Sequence, residues 1–192
     1  MLNRLQNLVI RVSQTWWLYL CVVLLFAGSL LSLLRIGEKF PSYAAGNQPF
    51  DLQNALTPTE VYPQLASWTE SAHQLYHAFT LIDYAFPFFA GLFIAATAAF
   101  AMRVSLPTWY AALTRRNLLP VFMFGTAFDW LENIAALGVI GLHPAEIGWL
   151  PFVLVLAKQL KLVCVLSAQA VTLLLLLYAA GNWLTARLRL RR

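Results

Sequence analysis

The chain has 192 residues, 60% of them hydrophobic and 11% charged. Soluble domains carry about 25% charged residues, so this composition excludes an ordinary water-soluble domain and points to a bilayer-resident chain of one domain. The net charge of +5 does not indicate nucleic acid, because the basic residues sit beside apolar runs rather than on one face.

Residues 2–12, with Arg4 and Arg11, predict a short interfacial helix ending near Trp16 and Trp17 at headgroup level. The apolar run that follows is too long for a signal-peptide core and is expected to be a retained anchor. A spanning helix needs about 20 mostly apolar residues, and four stretches qualify. The first covers about 16–35 and the second about 73–102, with Asp83 as the acid in its apolar part. The third covers about 118–142 and contains Asp129 and Glu132, and the fourth covers about 149–184. The fourth exceeds a bilayer, so it is expected to project, tilt or break at Pro151. The expected fold is all-α: a polytopic membrane protein of four transmembrane helices.

Residues 36–72 form the one long connection. Within it Thr57-Pro-Thr-Glu60 has capping-box spacing with Pro at the first helical position, which predicts a short helix from Pro58 to Trp68 bent at Pro63. Ser67-Trp-Thr-Glu70 repeats the signature and predicts that the second span starts there. Arginine and lysine set the orientation. Arg4, Arg11, Arg103, Arg115, Arg116, Arg187, Arg189, Arg191 and Arg192 lie on one side, against Arg35 and Lys39 on the other. Both termini are therefore expected in the cytoplasm, with residues 36–72 as a helical cap outside.

The polar residues inside the spans locate the site. At ~1.5 Å per residue, Asp129 lies roughly 20 Å from Arg116, near the midplane, and Asp83 roughly 30 Å from Arg103. Glu132 and Asn133 fall one turn beyond Asp129, and the three share one helix face. Charge at a helix centre costs about 2.5–3.5 kcal/mol if it faces lipid, so these groups are expected to turn inward. Counting from Trp183 puts Lys161 level with Asp83, and Ser167 and Gln169 level with Glu132 and Asn133. Pro87 cannot donate to the carbonyl of Asp83, which predicts a free carbonyl beside that acid and makes Lys161 its candidate partner. Lys158 is expected to snorkel toward headgroups. Glu70, His73 and His77 share a face, and with His143 they are the weak candidates for a metal site. No cofactor is expected. Cys21 and Cys164 lie in apolar runs, where Cys acts as a small hydrophobe.

The assembled pattern resembles an uncharacterised bacterial family of small four-helix membrane proteins. The matching pieces are PFDL (49–52), LIDYAFPF (81–88), FDWLEN (128–133) and AKQLKL (157–162), and the resemblance covers roughly residues 49–165. It implies an architecture and a site, not a reaction. In architecture alone the chain is also similar to the emopamil-binding and sigma-2 receptor bundles, whose motifs do not align with it.

These readings predict a protein that binds a hydrophobic or amphipathic small molecule in a polar intramembrane pocket open to the outside. Its ligand-binding residues would be Asp83, Asp129, Glu132, Asn133, Lys161 and Gln169. Asp129 and Glu132 would be the catalytic candidates, with Asp83 and Lys161 as a polar gate. Any chemistry there would be proton transfer on a lipid-like substrate. Partners would be membrane lipids or a hydrophobic ligand. Two other readings stay open: an accessory subunit of a membrane complex or a homo-oligomer, and a proton- or ion-coupled transporter.

Overall fold

A computed structural model describes residues 2–189, all helices and connecting turns, with no strand among the described residues. Arg191 and Arg192 of the charge count lie outside them. In chain order the helices are α1 (Leu2–Gln14), α2 (Trp16–Lys39), α3 (Val61–Ala66), α4 (Glu70–Ser105), α5 (Pro107–Arg115), α6 (Phe124–Leu142) and α7 (Trp149–Arg189). Short 3-10 turns occupy Phe40–Ser42, Phe50–Leu52, Pro58–Glu60 and Leu119–Met123.

Three stretches are long and apolar enough to cross a membrane: Trp16–Ser42, Glu70–Ser105 and Trp149–Leu188. The third predicted span becomes the 3-10 turn Leu119–Met123 followed by α6, whose 19 residues include the polar group Asp129, Glu132 and Asn133. Of the apolar part of α4, 56% is buried, against 11% and 6% for α2 and α7. α4 is therefore the central helix, and the other two are its flanks. Its buried alanines, Ala95, Ala96, Ala98 and Ala99, let neighbouring backbones approach closely. Two glycines mark the tightest points. A Cβ on Gly91 would lie 2.5 Å from Thr126 Oγ1, and one on Gly125 would lie 2.5 Å from Val165 Cγ2.

Pro151 does not break α7. It is the third residue of the helix, where a missing N–H costs nothing because first-turn donors have no intrahelical acceptor. Pro87 sits mid-helix and α4 continues through it. α1 packs its buried Gln6, Val9 and Val12 inward. Gln6 Nε2 donates to Thr114 O at 2.6 Å and to Asn117 Oδ1 at 2.9 Å, tying α1 to the turn after α5.

Residues 40–69 fold over one end of the bundle. Phe40, Phe50, Leu65 and Trp68 join Tyr76, Ala136, Val139 and Leu154 in one apolar cluster. Thr57 forms the predicted capping box with Glu60 and starts a 3-10 turn that runs into α3. The second predicted start is shifted. Ser67 has helical dihedrals, whereas Thr69 is extended and its hydroxyl accepts from the Ala72 N–H at 3.3 Å, so Thr69 caps α4.

Both the N–H and the hydroxyl of Thr57 donate to Glu60 Oε2, at 2.8 and 2.7 Å. These bonds hold the Glu60 carboxyl below its ordinary value of 4.5. Because the folded state depresses this pKa, the cap stabilises the turn above the ordinary value and is lost as pH falls through the depressed one. Hydrogen exchange across 57–66, corrected for its intrinsic rate, is therefore expected to rise on acidification. Glu60→Gln should remove that pH dependence, and an unchanged profile in the variant would contradict the assignment.

Candidate functional site

α6 and α7 are antiparallel, so two residue pairs spaced three apart meet in reverse order. Lys161 Nζ lies 3.5 Å from Asp129 Oδ1 and 2.5 Å from Glu132 Oε2, while Lys158 Nζ lies 3.5 Å from Glu132 Oε1. Glu132 is fully buried, and the Lys158 side chain is 3% exposed. The predicted inward turn of the acids is what the structure has.

A fourth acid arrives from the loop. Asp51, in the 3-10 turn Phe50–Leu52, places Oδ1 3.6 Å from Lys161 Nζ and accepts from the Tyr76 hydroxyl at 3.1 Å. Lys158 fastens that turn by donating to the carbonyls of Phe50 and Gln53. Lys158 thus does not snorkel to headgroups. Two carbonyls and a carboxylate satisfy its ammonium inside the bundle, which removes the reason to reach for water.

Asp83 is handled separately. Asn133 Nδ2 donates to Asp83 Oδ2 at 2.9 Å and to the Asp83 carbonyl at 3.5 Å. The carbonyl freed by Pro87 is therefore met by an amide, and the predicted Asp83–Lys161 gate is not formed. Lys161 lies about one turn nearer the Arg103 end than Asp83, level with Asp129. The count from Trp183 misplaced it because the α7 residue that shares a wall with Arg103 is Leu176, so Trp183 lies beyond the Arg103 level and counting from it sets Lys161 too far from that end. The same correction moves Ser167 and Gln169 away from Glu132 and Asn133. α6 uses two more side chains in the same way: the Trp130 indole donates to Tyr84 O at 2.9 Å, and the Thr126 hydroxyl donates to Pro87 O at 2.7 Å. One face of α6 thereby supplies donors to three carbonyls around the proline.

Four carboxylates (Asp51, Asp83, Asp129, Glu132) stand against two ammoniums (Lys158, Lys161), a formal excess of two negative charges. Asp51 Oδ1, Asn133 Oδ1 and both Glu132 oxygens are buried without a donor in hydrogen-bonding alignment. Carboxylate oxygens of Asp51, Asp129 and Glu132 lie within 4.8 Å of one another, close enough to share a metal ion. The Lys161 ammonium already contacts all three, so the cation of this cluster belongs to the chain itself. Glu70, His73, His77 and His143 are not gathered into a ligand set among the described residues. Glu70 Oε1 accepts from Gln74 at 3.4 Å, and His73 packs edge-on against Trp68.

The sequence predicts a pocket opening at the loop end. There the structure places Phe50–Gln53. The cavity lies on the other side of Asp129, about 330 Å³ in volume, between α2, α4, α6 and α7. Its walls are largely apolar and aromatic, including Phe26, Phe86, Phe93 and Phe122. The hydroxyls of Thr97, Thr126 and Thr172 line it, but each donates to a backbone carbonyl. Asp129 and Gln169 remain as its polar groups. Of the predicted ligand-binding residues, these two line the cavity, and Asp83, Glu132, Asn133 and Lys161 stand behind them. The residues that sequence reasoning missed are Asp51, Lys158 and Tyr76. Asp51 lies in the PFDL stretch, and Lys158 carried a signal in its three-residue spacing to Lys161, the counterpart of Asp129 and Glu132.

The fold and site define an all-helical protein whose apolar helices are compatible with a membrane and surround a buried carboxylate–lysine cluster. The chain matches no protein family, no curated protein and no solved structure.

Proposed function

We propose that this is a four-span protein of the bacterial inner membrane, with α2, α4, α6 and α7 as the spans, both termini cytoplasmic and residues 40–69 as an outer cap. It binds an amphipathic, lipid-like molecule whose hydrogen-bond-donating group meets Asp129. The observation that carries this reading is the single carboxylate set, with the Gln169 amide, into a largely apolar, aromatic cavity. Ligand sites are commonly hollows of about 300–1,000 Å³ with a few placed polar groups. Asp129 Oδ1 lies 3.5 Å from Lys161 Nζ, and a carboxyl held beside a cation offers its remaining lone pairs to a donor, a hydroxyl or an amine. α6 extends about 28 Å, close to a hydrocarbon core of about 30 Å, and the inward turn of its acids removes the main objection to its crossing.

Native mass spectrometry of the detergent-extracted protein tests this. The wild type should carry an amphiphile adduct. Ala90→Phe, which fills the cavity wall, should lose it while keeping its helix content. Asp129→Asn should weaken binding about tenfold, the scale of a hydrogen bond to a charged group. Equal adducts on wild type and Ala90→Phe would dismiss the proposal. A second reading, an accessory subunit, draws on the mostly exposed surface of α7, and co-purification of a stoichiometric membrane partner would favour it.

A further inference from the structure

The cavity beside Asp129 has a neighbour beyond Thr97. A second chamber, about 540 Å³, is bounded by Ser13, Gln14, Trp16, Tyr19, Phe100 and Arg103, and the two share Phe93, Thr97 and Leu176 as walls. Together they follow α4 from Phe86 to Arg103, roughly 25 Å along the helix axis. That exceeds the ~15 Å half-thickness of a hydrocarbon core, so the pair of chambers runs from mid-depth to the membrane boundary. Trp16 and Tyr19 stand where such a boundary favours amphipathic rings.

Arg103 is the charged group of the second chamber. It is half-buried, its Nη2 donates to Ser13 O at 3.2 Å, and its guanidinium lies 5.8 Å from the Phe100 ring centroid. A guanidinium has five donors, and among the described residues this is the one hydrogen bond it makes to the protein. Among the described residues no carboxylate pairs with it. The acids of the chain are Glu38, Asp51, Glu60, Glu70, Asp83, Asp129, Glu132 and Glu146, so none precedes Glu38, none falls between Asp83 and Asp129, and none follows Glu146. The charged residues of α1, α5 and the nearer half of α4 are all arginines: Arg4, Arg11, Arg103, Arg115. A chamber at the membrane boundary with one under-used guanidinium and no acid beside it complements an anion.

We infer that the ligand is an anionic membrane lipid, its carboxylate or phosphate held by Arg103 in the second chamber and its chain running past Thr97 to put a donor group at Asp129. This rests on the binding reading above and adds the headgroup, the direction of the chain and the leaflet from which it enters. Arginine suits the task because its planar fork meets a carboxylate or phosphate with two parallel hydrogen bonds.

The probes are 16-hydroxyhexadecanoic acid, which has an anion at one end and a donor at the other, and its methyl ester, which lacks only the anion. Both are titrated by native mass spectrometry against the full chain in non-ionic detergent. The wild type should bind the acid at least tenfold more tightly than the ester. Arg103→Gln should erase that preference and leave ester binding in place, and Arg103→Lys, which keeps the charge, should retain part of it. Equal binding of acid and ester by the wild type, or a preference that survives Arg103→Gln, would overturn the headgroup inference. If that equal binding were lost in Ala90→Phe, the cavity reading would stand. If neither probe binds the wild type, the cavity reading falls and takes this inference with it.

Discussion

Lys161→Met is expected to lower stability by about 3–5 kcal/mol in detergent. The side chain keeps its volume and loses the ammonium that contacts Asp51, Asp129 and Glu132. The loss is larger than that of an exposed ion pair because the stranded carboxylates have no water to return to: Glu132 is fully buried, and the Asp51 and Asp129 side chains are 4% and 7% exposed. Adding Glu132→Gln should recover part of it, since one uncompensated buried acid is then removed. Thermal unfolding of the two variants beside the wild type decides the matter, and a single variant as stable as the wild type would show that the cluster does not depend on this charge.

The second large effect is expected at Asn133→Leu, which removes the donor to both the Asp83 carboxylate and the Asp83 carbonyl. A buried acceptor left unsatisfied costs about 1–3 kcal/mol, and more if it is charged. Pro87 makes the two positions interdependent. In Pro87→Ala, residue 87 gains an N–H that donates to the Asp83 carbonyl, so the amide of Asn133 has one acceptor fewer to serve. Asn133→Leu should therefore cost less in the Pro87→Ala background than alone. Strict additivity in the double-mutant cycle would mean that the amide does not replace the bond the proline removes.

Much of this was legible in the sequence because bilayer physics is severe. Asp129, Glu132 and Asn133 had to turn inward, and their shared face follows from spacing alone. The capping box at Thr57 and the freed carbonyl at Asp83 follow from local chemistry. Registration between helices was harder. The depth of Lys161 depended on which residue of α7 is level with Arg103, and that is Leu176 rather than Trp183. Pairing the spacing of Lys158 and Lys161 with that of Asp129 and Glu132 would have corrected it. Asp51 was beyond reach for another reason. It lies 25 residues from Tyr76, its nearest partner in sequence, and a loop acid reads as solvated until the fold of residues 40–69 places Phe50 beneath Trp68 and Tyr76. The position of the cavity depended on that same packing.

The three side chains of α6 that serve carbonyls of α4 also decide how the cavity can breathe. Sliding α6 along α4 would break the bonds to the carbonyls of Asp83, Tyr84 and Pro87 at once and leave that of Asp83 without a donor, and parting α6 from α7 would tear charges from their partners. α2 is held differently: Tyr19 and Thr97 share one hydrogen bond, and Phe26 rests on Phe86 and Phe93. Aromatic contacts of that kind can slip and re-form in lipid with little loss. Were the proposed ligand too wide for the resting cavity, α2 would be the helix expected to swing outward, while the other three long helices keep the acids and lysines in place.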